Sequence, residues 1–584
     1  MVTILFHNSR RSIQMEKLKP KLFSVMKHYS RQQFIKDIIS GIIVAIIALP
    51  LSIALAIASG AQPVQGLYTA IIAGFFISFL GGSRVQIGGP TAAFVTIIYG
   101  IVKNPDYGFD GLIVATIMAG VILIIMGLCR FGSLIKYIPY TITTGFTAGI
   151  AVTLAVGQLK DFMGLRIASV PSEFLDKIQS YASHIHTINT YALAIGLLAL
   201  AIHIIWPWLV SKLPAPVSSI ADKLPASLLA IIITTVVTLF LNGDQVVVAT
   251  IGSSYQNVSN ALPKLSVPTV NLAMIRSLIS PAFTIAILAG IESLLSCVVS
   301  DGMIGSKHRS NMELIAQGTG NIFSALFGGI PATGAIARTA ANVKNGGRTP
   351  IAGIVHSITL VLVLVLLMPL AKLIPMPALA AVLIMVAYNM CGWREFVRLL
   401  KSSPKSDILV LLATFFLTVI FDLVVAIEVG IVLAAILFMK RMSDVTTMQG
   451  WNYLDDGEDD ENDMDNLSYK KVPRGVAVYE IIGPMFFAAT DKFLDVTTAE
   501  HGQIKIVIIR MRGVPAMDVT ALHSLEGLYD TCKKKGIKLL FSHVQDQPYH
   551  TMDKAGFIQQ LGETNFRKNI DDALDYATSL LAQN

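Results

Sequence analysis

The sequence predicts an α-helical polytopic membrane protein of fourteen segments, built as two inverted seven-helix repeats, with a small α/β soluble domain at its C-terminus. Three observations carry this. Of the 584 residues 53% are hydrophobic and only 14% charged, whereas a soluble chain carries about 25% charged residues. The apolar residues lie in runs long enough to cross a hydrocarbon core of about 30 Å, which takes roughly 20 residues of helix. Finally, two Gly/Pro interruptions stand at matching places in the two halves, as in transporters built from inverted repeats.

Taken in order, residues 1–36 form a basic leader with Arg10, Arg11, Lys17, Lys19, Lys21, Lys27, Arg31 and Lys36. No cleavable signal peptide is visible, so the first apolar run, residues 38–58, is read as an uncleaved span. Further runs cover residues 111–128, 191–210, 227–241, 281–300, 351–370 and 407–438, the last long enough for two tight passes. With two short segments added, fourteen passes put both termini on one side. The loops of that side hold the larger share of Lys and Arg, which assigns it to the cytoplasm and the chain to the cytoplasmic (plasma) membrane. The formal charge of +7 therefore marks membrane topology, not nucleic-acid binding. Cys129, Cys297, Cys391 and Cys532 show no disulfide spacing. Asp301, Asp422 and Glu428 fall near span ends and read as solvated. The expected domains are the leader (1–36), a membrane domain (37–441), an acidic linker (442–473) whose Asp/Glu block repels itself, and a soluble domain (474–584). In the last, residues 475–482, 504–510 and 537–543 read as strands and residues 520–535 as a helix capped by Thr520.

The two interruptions locate a site. Gly88-Gly89-Pro90 cannot be ordinary spanning helix, and Pro90 suits a helix start; a short helix is expected over 91–102. In the second half residues 330–334 should be extended and lead into a short helix over 335–345. Two helix N-termini facing one cavity offer free N–H groups and partial positive charge to an anion. Gly89, Thr91, Ala92, Ala335 and Ile336 line those starts, and Arg338 in the first turn of the second adds a full charge with several donors. Pro50 kinks the first span and places Ser52 as a further candidate. Glu292, the one acidic residue of the 281–300 run, can carry a proton at membrane depth, where ionisable groups are functional by default. Ser296 lies one turn on, on the same face. The residues offer no nucleophile–base pair, phosphate loop or metal-ligand spacing, so no enzymatic activity and no metal or other cofactor is expected.

These residues resemble a known family. Gln65-Gly66-Leu67-Tyr68, the stretch from Gly81 to Thr91, Gly328-Gly329-Ile330-Pro331, Arg338-Thr339, Gly346-Gly347-Arg348-Thr349 and the Glu292 helix resemble the SulP sulfate permease family of anion transporters, which includes prestin relatives. The C-terminal region resembles the STAS domain shared with anti-sigma-factor antagonists. The resemblance implies a core domain moving against a gate domain in alternating access, with the substrate between the third and tenth segments, and a homodimer in the bilayer. It matches the family's tenth-segment arginine to Arg338 and its eighth-segment acid to Glu292. Sodium-coupled members have Asp and Thr where this chain has Glu292 and Ser296, which disfavours sodium and points to the proton as coupling ion. Sulfate permeases often read Pro-Gln where this chain has Pro50-Leu51. The antagonists' phosphorylated serine is matched by Val519, so the site of that modification is missing; a cytoplasmic regulator of the STAS domain remains an expectation. The expected function is proton-coupled transport of a small inorganic anion, sulfate first and bicarbonate second. The alternatives are an uncoupled channel or exchanger, a C4-dicarboxylate transporter, and a signalling protein in which the soluble domain does the work.

Overall fold

The computed structural model describes residues 18–133, 139–167, 170–171, 173–214, 221, 224–243, 245–255, 260–421, 423–452, 472–486 and 504–582. The chain divides into two compact units, Met1–Ile431 and Val432–Asn584, taken in turn.

Fourteen of the described helices correspond in order to the expected segments, with shorter helices such as Phe174–Ser183 and Trp393–Ser402 between them: α1 (Arg31–Ala58), α2 (Pro63–Leu80), α3 (Val95–Lys103), α4 (Gly108–Leu128), α5 (Tyr140–Gly157), α6 (Thr190–Lys212), α7 (Ala226–Asn242), α8 (Leu272–Ile304), α9 (Ser310–Leu326), α10 (Ile336–Lys344), α11 (Ile351–Ala371), α12 (Met376–Cys391), α13 (Lys405–Ile420) and α14 (Leu423–Val445). Eight of the described helices are long and apolar enough to cross a membrane, and the protein is an integral membrane protein. The run over 407–438 holds two helices, α13 ending at Ile420 and α14 beginning at Leu423. Local signals set the starts. Ser30 Oγ accepts from Gln33 N (3.2 Å) at the head of α1. Pro63 opens α2, where a missing N–H costs nothing, and the Gln62 N–H donates to Gln65 Oε1 (2.7 Å).

The helices pack as two groups. α1–α4 associate with α8–α11, while α5–α7 associate with α12 and α13; α12 also touches α1. This is the core and gate division expected of two interleaved repeats. The core group is dense because small residues let backbones approach, as membrane interfaces require. A Cβ on Gly120 of α4 would stand 2.7 Å from the Gly318 carbonyl of α9, and one on Gly318 would stand 2.4 Å from the Gly120 carbonyl. Part of the expected leader is also built in. The short helix Lys21–Val25 is tied by Lys21 N to Gly81 O (2.8 Å), and Arg309 Nη1 donates to Lys19 O (2.6 Å).

The second unit is a five-stranded sheet ordered β3 (Thr447–Asn452), β4 (Val476–Ile482), β5 (Ile506–Gly513), β6 (Lys538–Ser542) and β7 (Phe566–Arg567). β3 is antiparallel to β4; the other pairs are parallel. Parallel strands are covered on both faces, and the side-chain period of two sorts residues between them. Ala477, Tyr479 and Ile481 pack with α15 (Val519–Lys534), whereas Val476 and Val478 pack with α16 (Ile570–Ala582).

Two expectations are corrected here. The stretch from 442 holds the end of α14 and then strand β3, and the dense acidic block begins only at Asp455; that block lies outside the described residues. The cap of α15 is Asp518, whose carboxylate accepts from Ala521 N (2.8 Å). Thr520 is already inside the helix, since an aspartate two residues earlier offers a charged acceptor to the free N–H groups.

Candidate functional site

The two interruptions meet. Gly88–Gly89 (β1) pairs antiparallel with Thr333–Gly334 (β2), Gly88 opposite Gly334 and Gly89 opposite Thr333. From this two-residue ladder the chain enters a 3₁₀ turn, Ala92–Phe94, and α3 on one side, and α10 on the other. Both helices thus begin within a few residues of the same ladder.

Arg338, third in α10, is only 1% exposed. Its Nη2 donates to Pro90 O (3.1 Å) and Ser52 Oγ (3.3 Å), so the α1 serine placed by Pro50 does reach the centre. Its Nε and Nη1 are buried with no protein partner. Buried donors of a charged group are costly to leave unpaired, so these two could take an acceptor. Gly89 makes room for it: a Cβ there would stand 2.2 Å from Arg338 Nη1. Glu292 of α8 accepts from Thr91 Oγ1 (3.0 Å) at its Oε2, which joins the carboxyl to the start of the first short helix. Ala92 and Ala335 are buried at the helix starts, and Ile336 is exposed. Direct contacts thus join Arg338 to Ser52, Pro90 and Gly89 and Thr91 to Glu292, whereas Ala92, Ala335 and Ile336 lie at the two helix starts without a hydrogen bond from the Arg338 guanidinium. Ser296 stands apart from the Glu292 carboxyl: its Oγ donates to Gln86 Oε1 (2.8 Å).

That last bond belongs to a lattice that sequence reasoning missed. Non-helical backbone at membrane depth must be satisfied by protein, and buried side chains do it. Gln86 Nε2 donates to Ser293 O (3.2 Å), and Ile87 N donates to Thr339 Oγ1 (3.1 Å). Gly334 N donates to Ser293 Oγ (3.0 Å) and Ala335 N to Ile87 O (2.9 Å). Asn321 holds both backbone groups of Ala332 at 2.8 Å, and Thr69 holds those of Ile330 at 2.7 and 3.0 Å. Polar residues inside apolar runs were the available signal, but their partners are set by tertiary structure. Two further polar groups escaped notice. Glu313 of α9, fully buried, accepts from Gly82 N (2.9 Å), Ser83 N (3.1 Å) and Gln317 Nε2 (2.9 Å). His356 of α11 is fully buried with neither ring nitrogen partnered by protein; its signal was a lone histidine in the 351–370 run. Asp301, expected to be solvated, instead accepts from His308 Nδ1 and from Ser306 Oγ (2.7 and 2.9 Å). Glu428 is exposed, and Asp422 lies outside the described residues.

The bundle thus holds two short helices whose starts are joined by a ladder beside a buried arginine, and the chain carries a C-terminal α/β domain. The chain belongs to the Sulfate permease family: that family's model matches residues 34–414, and the STAS domain model matches residues 469–573. YvdB of Bacillus subtilis (strain 168), provisionally named a sulfate transporter, is 39% identical over 548 residues, covering 94% of this chain and 98% of YvdB. The bicarbonate transporter BicA of Picosynechococcus sp. (strain ATCC 27264 / PCC 7002 / PR-6) is 29% identical over 559 residues, covering 93% and 94%. Among solved structures, SLC26A9 superposes with a TM-score of 0.82 at 18% identity, covering 96% of this chain and 93% of that one. The transmembrane domain of BicA gives 0.60 at 29% identity, covering 68% and 98%.

Proposed function

We propose that this chain is a secondary active transporter that moves a small inorganic anion, sulfate first and bicarbonate second, across the cytoplasmic membrane, coupled to protons. The observation that carries the reading is the buried Arg338 guanidinium, with two donors lacking a protein partner, at the junction of two helix N-termini. An anion seated there satisfies the donors and neutralises the charge. Its relatives' names, sulfate transporter and bicarbonate transporter, support the anion class.

Glu292 is the proton carrier in this reading. Two negative charges in one poorly solvated chamber repel strongly, so a proton on Glu292 and an anion on Arg338 favour each other's binding, and Thr91 links the two positions. The division of the packing supports alternating access: α1–α4 and α8–α11 carry the site as one body, which in this reading slides against the group of α5–α7 and α12–α13. The termini are cytoplasmic, and the reading extends to a homodimer with a cytoplasmic partner for the STAS domain; no enzymatic step enters it.

The test is uptake of labelled sulfate, bicarbonate and a C4-dicarboxylate into proteoliposomes, with and without an inward proton gradient. Arg338→Ala removes a charged donor worth about 1.5–3 kcal/mol, so uptake falls by roughly one to two orders of magnitude. Glu292→Gln keeps the hydrogen-bonding shape and loses the response to the gradient. Uptake indifferent to both the gradient and Glu292→Gln would sink proton coupling and leave a channel or an exchanger.

A further inference from the structure

On the face opposite the start of α1 lies a second polar feature, a cavity of about 730 Å³. Its wall is formed by the ends of α1, α3 and α5, the beginnings of α2 and α12, and the amphipathic helix Phe174–Ser183. Four cations line it: Lys103, Lys160, Arg166 and Lys177. Asp161 is the only carboxylate on the described lining. No salt bridge joins any of the four cations to a carboxylate among the described residues.

Lys177 is the telling residue. It is half-buried, and burial pushes its ammonium below the ordinary lysine range. Its Nζ lies 5.6 Å from the Tyr99 ring centroid, and Lys103 Nζ lies 5.8 Å from the same ring. Both ammonium groups thus lie near one aromatic ring, whose quadrupole offsets only about 0.5–2 kcal/mol of the cost of partly desolvating a cation. A partly desolvated cation pair without a carboxylate of its own is stabilised by a counter-anion from outside. A cavity of this size admits one with part of its hydration shell. The cavity also lies near the central site, since Val95 and Thr96 of the first turn of α3 line its floor, a turn beyond Ala92.

We infer that this cavity is a second anion-binding site, an antechamber that takes a small dianion between Lys103, Lys160, Arg166 and Lys177 before it reaches the central seat. Its partial screening by Asp161 leaves three net positive charges, which favours a dianion such as sulfate over a monovalent ion. Clefts lined by one sign of charge raise local counter-ion concentration, an effect that falls as ionic strength rises. The inference rests on the anion reading above and is tested apart from it.

The first arm reads binding alone. The full chain, purified in a bilayer disc, is treated with an amine-acylating reagent in sulfate or in chloride at equal ionic strength, and modified lysines are mapped by mass spectrometry. Sulfate is expected to slow acylation of Lys103, Lys160 and Lys177 several-fold, with Lys554 of the soluble domain unaffected. Equal rates in the two salts would overturn the inference. The second arm is sided uptake of labelled sulfate by Lys103→Gln/Lys177→Gln. Its KM from the antechamber face is expected to rise by about tenfold, with Vmax and KM from the other face unchanged; an equal rise from both faces also overturns it. Protected lysines in a chain that transports no sulfate would refute sulfate as substrate while leaving the antechamber standing.

Discussion

At the scale of single residues, the site turns on atoms that are absent. Gly89 matters because Arg338 Nη1 occupies the space its side chain would need. Gly89→Ala is expected to dislodge the guanidinium and cost about 1–3 kcal/mol by overpacking. Uptake should fall as far as in Arg338→Ala while the protein still folds and inserts. Wild-type uptake by Gly89→Ala would show that the guanidinium is not held where Pro90 and Ser52 place it. Of these residues, Ser52, Gly89 and Arg338 were legible in the sequence, because a proline, a Gly-Gly-Pro break and a charge at membrane depth are local signals. Gln86 was not: its partners Ser293 and Thr339 lie 207 and 253 positions away, and no local pattern announces a contact of that range. Ser296 shows the same limit. Helical spacing placed it on the Glu292 face, but Gln86 takes its hydroxyl.

At the scale of elements, tight crossings and caps make separable predictions. The α4–α9 crossing sets the α4 backbone at Gly120 and Ile124 against Gly318, so Gly318→Leu cannot be absorbed by a rotamer change; a loss of about 1–3 kcal/mol or more is expected, read as a lower melting temperature in detergent. Gly302 in α8 has open space where its Cβ would be, so Gly302→Ala should be neutral or stabilise by about 0.4–1 kcal/mol. In the soluble domain, Asp518→Ala should cost about 0.5–2 kcal/mol of helix stability and speed hydrogen exchange at the first amides of α15, Ala521 among them. Thr520→Ala should leave those amides unchanged. The reverse pattern would restore Thr520 as the cap. Existence and type of these elements were readable from periodicity and glycine spacing. The identity of a cap was not, because Asp518 and Thr520 are both good capping residues and only the backbone path decides between them.

At the scale of the molecule, the two sides of the membrane are testable through cysteine. Cys129 is exposed just after α4, while Cys297 and Cys532 are buried. Burial also pushes the Cys532 thiol up to about 11, so it presents little thiolate. An impermeant thiol reagent should therefore modify Cys129 in inside-out vesicles and leave it untouched in right-side-out ones. Labelling from the outer face would invert the topology and move the termini, and with them the STAS domain, out of the cytoplasm. The architecture itself was legible early, since bilayer thickness and backbone hydrogen bonding leave few alternatives for such apolar runs. The start of the soluble domain was less so, because strand β3 precedes the acidic block that marks a boundary by composition.

The ladder between Gly88–Gly89 and Thr333–Gly334 also bears on how the protein is made. Its second strand leaves the ribosome roughly 250 residues after the first, which at about 5–20 residues per second is on the order of ten to fifty seconds. Throughout that interval the first broken helix sits in the bilayer without the strand that completes its backbone hydrogen bonds. Either the insertion machinery shelters it until the second repeat arrives, or α3 threads late; in both cases the N-terminal repeat depends on its successor during biogenesis as well as in the finished fold.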